Sequence, residues 1–304
     1  MPTYPASHDA AEPRPLLSPP ELNRQVWDRA AARLLAKMLG EFAYEEIIEP
    51  ERRPGDGRLH SLTLDDGTEL RFTARRGVYG SWRVDPDSIG TAHPPANPLS
   101  NGASSHHASA DGAQDGTLRP FRDPLRFLTR ARSLLGLDGA TLGHLIRELT
   151  LTLTADARLD HTALTAAELA DVGYAELEGH QTGHPWLVAS KGRLGFSAAD
   201  AARFTPETRT PLRLPWIAVS TRIAQYRGVG RLTTPEHLYA GELDPAVRAA
   251  FAAELETRGL DPESYLYLPV HPWQWDEWIV PLFAPAIADG DIVALHTDGD
   301  ARLP

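Results

Sequence analysis

Apolar residues recur three and four positions apart near the start of the chain. They are Leu22, Val26, Leu34, Leu35, Met38 and Phe42, and the pattern continues to about Ile48. This spacing places them on one face of a helix. Ser18 has the residue type of an N-cap and Pro19 that of a first helical position, so we predict that the helix starts at Ser18. The polar, proline-rich residues 1–17 are predicted to form a disordered tail.

Alternating apolar and polar residues follow this helix. The alternation predicts two strands, Arg58–Leu64 and Glu69–Arg75, and the dipeptide Asp66-Gly67 between them favours a tight hairpin turn. A third strand at Val78–Val84 would complete a small antiparallel meander. Residues 18–90 are therefore predicted to be a helix plus a β-meander.

Residues 91–117 contain almost nothing apolar that could be buried. Pro, Ala, Asn, Ser, His and Gly dominate this stretch, which predicts a flexible linker or loop. His106 and His107 lie inside it. They could bind a metal ion, but we favour their interpretation as solvated loop residues.

Helical and strand-like patterns are mixed in residues 118–304. The predicted helices are Pro124–Leu135, Thr141–Thr152, one that starts at Thr165 with a capping box to Glu168, Pro245–Arg258 capped by Asp244, and Trp273–Val280. The predicted strands are Leu212–Ser220, Tyr265–Val270 and Asp291–His296. The fold class is thus α+β, with a helical and small antiparallel-sheet region followed by a mixed α/β region. The chain stops soon after the last strand, so we expect this second region to be incomplete.

Composition excludes several classes of function. The 304 residues include 42% hydrophobic and 23% charged residues, as in ordinary globular proteins, and the net charge of −11 argues against a nucleic-acid partner. The chain has no cysteine, which excludes disulfides and a cysteine nucleophile and fits a reducing compartment. We find neither an apolar run of roughly 20 residues nor a signal-peptide pattern, and we expect a cytoplasmic protein without membrane contact.

The segment Glu178–Phe196 combines glycines, cations and histidines. It reads Glu-Gly-His-Gln-Thr-Gly-His-Pro-Trp-Leu-Val-Ala-Ser-Lys-Gly-Arg-Leu-Gly-Phe. Lys191 is one of only two lysines in the chain, and its strand-like spacing from Arg193 would place both cations on one face. Glycine backbone flanked by Lys and Arg suits a triphosphate or a carboxylate. A surface hairpin with solvated cations explains the same residues, and both interpretations stay open.

The pair His180 and His184 has a spacing that could chelate zinc on a helix. Gly183 lies between the two histidines and Pro185 follows them, which makes a helix improbable here. We therefore assign no metal ligand in this segment.

A second segment, Leu268–Trp275, reads Leu-Pro-Val-His-Pro-Trp-Gln-Trp. His271 and Gln274 could line a stiff pocket wall. A buried aromatic corner, in which both side chains satisfy backbone groups, explains the residues equally simply and is the interpretation that we favour from chemistry alone.

Together the two segments resemble the signatures of the NRPS-independent siderophore synthetases, the family of the aerobactin synthetases. Gly-His-Pro followed by Lys-Gly-Arg-Leu-Gly-Phe is similar to the first signature, and Leu-Pro-Val-His-Pro-Trp-Gln-Trp to the second. The similarity extends from about residue 20 to the end and is closest to the desferrioxamine synthetases of actinobacteria. It implies an enzyme that uses ATP and Mg²⁺ to adenylate a carboxylate, of citrate or succinyl-hydroxamate type. An N-hydroxylated amine then forms the amide. The resemblance is compatible with a homodimer and leaves the oligomeric state open.

The resemblance also implies roles for individual residues. Lys191 and Arg193 would bind phosphates or the substrate carboxylate, and His184 would bind the carboxylate or the developing oxyanion. The further residues implied in nucleotide binding are Gly183, Ser190, His180, His271 and Gln274. The family's Ser-x-Arg-Thr motif would follow after Pro304, so the chain by itself is expected to be inactive. The alternative function is a non-catalytic module that binds a metal ion or an iron–siderophore complex.

Overall fold

The computed structural model describes residues 22–55, 57–92 and 118–296, together with the backbone of residues 301–302. These residues fall into two compact units. The first unit contains the described residues up to Asp171 and the segment His180–Gly195, and the second contains Val172–Gly179 and the described residues from Phe196 onward. Within the described ranges, no helix is long and apolar enough to cross a membrane.

Helices and antiparallel strands alternate along the chain, which confirms the predicted α+β class. The helices are α1 (Arg24–Tyr44), α2 (Pro124–Arg130), α3 (Gly139–His161), α4 (Ala166–Asp171), α5 (Tyr174–Leu177), α6 (Ala198–Phe204), α7 (Pro235–Glu242), α8 (Pro245–Thr257), α9 (Pro272–Gln274), α10 (Val280–Leu282) and α11 (Ala284–Ala288). The strands are β1 (Glu51–Arg52), β2 (Leu59–Thr63), β3 (Glu69–Arg76), β4 (Trp82–Val84), β5 (Gly90–Ala92), β6 (Arg119–Pro120), β7 (Leu212–Arg213), β8 (Trp216–Ser220), β9 (Tyr265–Pro269), β10 (Ile292–Leu295) and β11 (Ala301–Arg302).

Several predicted features lie outside the described residues. The predicted tail at 1–17 is among them, as are Ser18, Pro19, His106 and His107. The predicted linker at 91–117 is also outside, except for its first two positions, which belong to β5.

Helix α1 begins at Arg24, later than the predicted start at Ser18. The side chain of Asn23 accepts a hydrogen bond from the backbone N–H of Val26 at 3.0 Å and so acts as the N-cap. The apolar face then packs as its spacing predicts. Its large side chains Leu34, Leu35, Met38 and Leu39 are almost fully buried.

In the first unit the described strands form a six-stranded antiparallel sheet in the order β1-β2-β3-β5-β6, with β4 also paired to β3. The predicted β2–β3 hairpin is confirmed, and Gly67 adopts the positive φ of +77° that its turn requires. The predicted third strand, Val78–Val84, is wrong in its first half. Tyr79 takes a φ of +60° in a tight turn, so only Trp82–Val84 pairs with β3.

Helix α3 runs well beyond the predicted end at Thr152. The alternation Leu-Thr-Leu-Thr looks unfavourable for a helix, because β-branched residues lose rotamer freedom there. The hydroxyls of Thr150 and Thr154 instead donate to the carbonyls four residues earlier, and Leu149 and Leu153 are buried in the core shared with α1. Tertiary packing therefore overrides the local propensity.

Helix α2 ends at Arg130, short of the predicted end at Leu135. The backbone N–H groups of Ser133 and Leu134 donate to the carboxylate of Asp65, at 2.6 and 3.1 Å. That long-range contact turns the chain away from the helix axis. The predicted capping box at Thr165 and Glu168 is confirmed at the start of α4.

In the second unit, strands β10-β8-β9 form an antiparallel sheet, and β7 pairs with β11. The predicted strand Leu212–Ser220 is divided into β7 and β8, because Pro215 between them has no N–H to donate. Asp244 caps α8 as predicted, accepting from the N–H of Ala246 at 2.7 Å.

The predicted helix Trp273–Val280 is interrupted. A π-helical turn at Trp275–Ile279 separates α9 from α10. Pro281 cannot donate a backbone hydrogen bond and its ring would clash with the preceding turn of a regular helix, so the widened turn accommodates it.

Candidate functional site

The loop between Gln181 and Gly195 belongs to the first unit and contains no strand. The N–H of Arg193 donates to the carbonyl of Lys191, and the N–H of Leu194 donates to that of Gly192, both at 2.9 Å. These tight turns break the strand-like alternation on which the predicted shared face of Lys191 and Arg193 rests. Lys191 is buried, whereas Arg193 is half-buried.

Two glycines shape this loop in different ways. Gly183 takes a φ of +84°, and a Cβ there would lie 2.7 Å from the hydroxyl of Ser190. The turn thus places Gly183 against Ser190. Gly192 instead allows close packing, because a Cβ there would lie 2.7 Å from the Cβ of Glu148 on α3.

The His184 imidazole closes a turn of its own backbone. Its Nδ1 accepts hydrogen bonds from the N–H groups of Trp186 and Leu187, at 3.3 and 3.2 Å. Because Nδ1 acts as an acceptor, the proton of the neutral ring lies on Nε2. His184 is exposed and can offer this Nε2–H to a ligand. No helix joins it to His180, as predicted.

Lys37 on α1 is a part of this site that the sequence analysis did not identify. Its ammonium group donates to the carbonyl of His184 at 2.6 Å and to that of Leu187 at 2.8 Å. The signal that could have found it was already present: both lysines of this arginine-rich chain, Lys37 and Lys191, contact the same loop.

Lys191 also acts on the loop backbone. Its ammonium group donates to the carbonyl of Gln181 at 2.8 Å, and its own N–H donates to the hydroxyl of Thr152 on α3 at 3.3 Å. The prediction placed this side chain against phosphates or a carboxylate. In the structure this side chain is buried and its ammonium group holds the loop backbone.

Asp156 on α3 interacts electrostatically with three cations of this region. Burial raises the pKa of this carboxyl to about 6, opposed by the charges of Lys191, Arg33 and Lys37. Burial likewise lowers the pKa of Lys37, opposed by Asp156 and Glu41. The carboxylate and the cations therefore partly neutralise one another in a region poorly reached by water.

A cavity of about 480 Å³ opens within this unit. Its polar lining includes Arg33, Lys37, Asp156, His180, His184 and Ser190. The Nε2 atom of His180 is buried and has no hydrogen-bond partner among the described residues. Arg193 does not line this cavity. Several donors and cations converge here, which suits an anionic oxygen.

His271 and Gln274 lie in the second unit and line a different cavity, of about 350 Å³, together with Phe196, Trp273 and Trp278. The Nδ1 of His271 accepts from the N–H of Trp273 at 3.1 Å, as the favoured interpretation predicts. The predicted burial is wrong for Gln274, which is exposed. Burial lowers the pKa of His271, opposed by Asp200, so the ring is neutral near pH 7. The pocket-wall interpretation also holds, because His271 and Gln274 both line the cavity.

Across the described ranges, no three His, Cys, Asp or Glu side chains are grouped so that they could hold a metal ion.

The chain is similar in sequence to proteins of siderophore biosynthesis. Residues 173–304 match the model of the IucA / IucC family. The chain is 37% identical to the rhizobactin siderophore biosynthesis protein of Rhizobium meliloti, over 95% of this chain and 44% of that protein. It is 32% identical to putrebactin synthase of a Shewanella species, over 98% of this chain and 43% of that protein.

A solved structure agrees with these matches. The aerobactin synthetase IucC from a hypervirulent pathotype of Klebsiella pneumoniae superposes with a TM-score of 0.74 at 30% identity, covering 92% of this chain and 46% of that one. The chain therefore spans less than half the length of these relatives.

Proposed function

We propose that the protein is an ATP-dependent carboxylate–amine ligase of siderophore biosynthesis, because residues 173–304 match the IucA / IucC family model and the chain is similar to siderophore biosynthesis proteins. The carboxylate oxygen attacks the α-phosphorus of ATP and pyrophosphate leaves. The amine nitrogen then attacks the acyl carbon, loses a proton, and AMP leaves as the amide forms. The named relatives support this proposal, and since the chain spans less than half their length, the reaction is proposed for the whole protein.

The observation that carries the proposal is the cavity of the first unit, with the His184 imidazole at its edge. His184 would donate its Nε2–H to the carboxylate or to the oxyanion that develops during acyl transfer. A fixed donor of this kind stabilises the charge that appears in the transition state. His180, Ser190 and the backbone at Gly183 would complete the contacts to the anionic group.

Lys191 and Arg193 receive different roles in this proposal. Lys191 would hold the loop through the Gln181 carbonyl. Its positive charge would attract the anionic ligand from a buried position, without direct contact to phosphate. Arg193 would bind phosphate or carboxylate from outside this cavity, as the resemblance implies.

The aromatic cavity of the second unit would take an uncharged group. Phe196, His271, Trp273, Gln274 and Trp278 line it and none is charged near neutral pH. A planar base such as adenine can stack on the rings and exchange hydrogen bonds with His271 and Gln274. These two residues are thus proposed as nucleotide contacts.

Mg²⁺ would screen the phosphate charge in such a reaction. The described residues offer no group of three ligand side chains for it, so we assign no Mg²⁺ ligand within them. Citrate or a succinyl-hydroxamate is proposed as the carboxylate and an N-hydroxylated diamine as the nucleophile. We also propose a cytoplasmic enzyme that acts as a homodimer.

The test is exchange of labelled pyrophosphate into ATP by the full-length protein, with Mg²⁺ and one carboxylate at a time and no amine. Exchange that requires the carboxylate supports adenylation, and amide formation after amine addition completes the reaction. Arg193→Ala should abolish exchange, while Arg24→Ala, on an exposed arginine outside the cavity, should leave it intact. Absence of exchange with every carboxylate tested, while the folded protein binds a ferric siderophore, would favour the binding-module alternative.

A further inference from the structure

Lys37 is remote in sequence from the loop that it contacts, and nothing in the resemblance gives it a role. We infer that Lys37 is a positioning residue that holds the His184 imidazole toward the cavity. The inference rests on the proposed function, in which His184 contacts an anionic group. Lys37 itself touches backbone carbonyls, so it acts through His184.

The turn from His184 to Leu187 is held from two sides. On one side, the His184 imidazole accepts from the N–H groups of Trp186 and Leu187. On the other side, the Lys37 ammonium group donates to the carbonyls of His184 and Leu187, the two ends of the turn. A single side chain from α1 therefore fixes the distance between the ends of the turn. That distance determines whether the imidazole can reach its own backbone donors.

Helix α1 is rigid, so its contact through Lys37 can fix the position of the loop. Leu34, Leu35 and Met38, the neighbours of Lys37, are almost fully buried in the core of the first unit. The helix cannot shift without disturbing that core. Lys37 therefore transmits the position of a rigid element to an exposed loop, as a second layer of contacts around a reactive group must.

The carboxylates near Lys37 favour the charged form of its side chain. Asp156 on α3 and Glu41 on α1 act as opposite charges, against the cost of burial. Arg33 and Lys191 compete for Asp156, and Arg33 is also paired with Asp160 at 2.5 Å. A neutral side chain at position 37 would leave two carbonyls without this donor and remove one cation from Asp156. We therefore expect loosening confined to the loop.

The experiment compares Lys37→Met with Lys37→Arg in the full-length protein. Methionine keeps much of the apolar stem and removes the charge, whereas arginine keeps donors that can reach a carbonyl. Arg29→Met is the matched control, because Arg29 lies on the same helix and contacts Asp160 at 3.5 Å without lining the cavity. Amide hydrogen exchange is measured at residues 181–191 and in strands β2 and β3, and kcat and KM are measured for adenylation.

We expect Lys37→Met to speed exchange in the loop by about tenfold and leave β2 and β3 unchanged. The same variant should lower kcat by about 10- to 100-fold with a smaller change in KM, since misplacement of a reactive group chiefly affects the transition state. Lys37→Arg should restore part of both quantities. The Arg29→Met protein should behave as the unmodified protein in both measurements.

Two results would overturn the inference. One is unchanged loop exchange in Lys37→Met, and the other is faster exchange with unchanged kcat. Equal acceleration in the loop, β2 and β3 would also overturn it by indicating a general structural role. Failure of the proposed function is recognised separately, because the unmodified protein would then show no carboxylate-dependent pyrophosphate exchange.

Discussion

His271 accepts a hydrogen bond through Nδ1 from the backbone N–H of Trp273, two residues further along the chain, at 3.1 Å. His184 makes the same contact with Trp186 at 3.3 Å. Each unit thus contains a His-Pro-Trp turn in which the imidazole caps its own backbone. In both turns the geometry leaves Nε2–H as the donor.

The two functions of the His184 ring can be separated by substitution. Asparagine can cap the turn through its side-chain oxygen but lacks a donor at the Nε2 position. We expect His184→Asn to retain slow amide exchange at Trp186 and Leu187 and to lower kcat for adenylation by about 100-fold. His184→Ala should lose both. Full activity in the asparagine variant would contradict the role of Nε2–H.

Asp156 should make stability depend on pH. Folding raises its pKa from 3.8 to about 6, so the folded chain binds this proton more tightly than the unfolded chain. Its contribution to the free energy of unfolding is present below about pH 4 and is lost as the pH rises through about 6. Asp156→Asn cannot titrate. As the pH rises from 4 to 8, the free energy of unfolding of this variant should therefore increase by up to roughly 3 kcal/mol relative to that of the unmodified protein. Urea unfolding at each pH measures the difference.

Asp66 offers a matched control, because its pKa is shifted in the opposite direction to that of Asp156. Hydrogen bonds from Thr68, together with Arg130, hold the pKa of Asp66 below its usual value. Its stabilising contribution is present above about pH 4 and is lost as the pH falls through the lowered pKa. Asp66→Asn should therefore show no relative gain between pH 4 and pH 8. A parallel gain in both variants would show that Asp156 is not the cause.

Gly192 should tolerate no side chain. A Cβ there would lie 2.7 Å from the Cβ of Glu148 and 3.0 Å from its Cα, so backbone must move. We expect Gly192→Ala to lower the free energy of unfolding by about 1–3 kcal/mol. Gly143→Ala, on the exposed face of α3 with nothing within 4 Å, should instead raise it by about 0.5–1 kcal/mol. Chemical denaturation of both proteins checks the pair, and equal effects would refute the packing argument.

Tyr239 protects an edge strand. Strand β9 lies at the edge of its sheet, and the N–H of Tyr267 donates to the Tyr239 hydroxyl at 2.7 Å in a buried position. Tyr239→Phe keeps the ring and leaves that N–H without its acceptor, which should cost about 1–3 kcal/mol of unfolding free energy. Tyr267→Phe leaves the bond in place and serves as the control. In thermal or urea unfolding, Tyr239→Phe should lose clearly more unfolding free energy than Tyr267→Phe.

Local patterns were sufficient for much of the fold. The apolar spacing around Leu35, the Asp66-Gly67 turn and the cap at Asp244 each depend on residues close in sequence, and all three were predicted. The ends of α2 and α3 were not predicted. Asp65 ends α2 from a distant loop, and burial of Leu153 extends α3 through a threonine-rich segment.

The same distinction between local and long-range contacts applies to the candidate site. Sequence alone predicted which segments belong to the candidate site, because Gly183, His184 and Lys191 form a recognisable local motif and because lysine is rare in this chain. Only the tertiary structure decided what these groups do. It directs Lys191 toward the loop backbone, assigns the outward donor of His184 to Nε2, and brings Lys37 to the loop from α1. Hydrogen bonds between residues about 150 positions apart depend on how helices pack, and no local pattern encodes that packing.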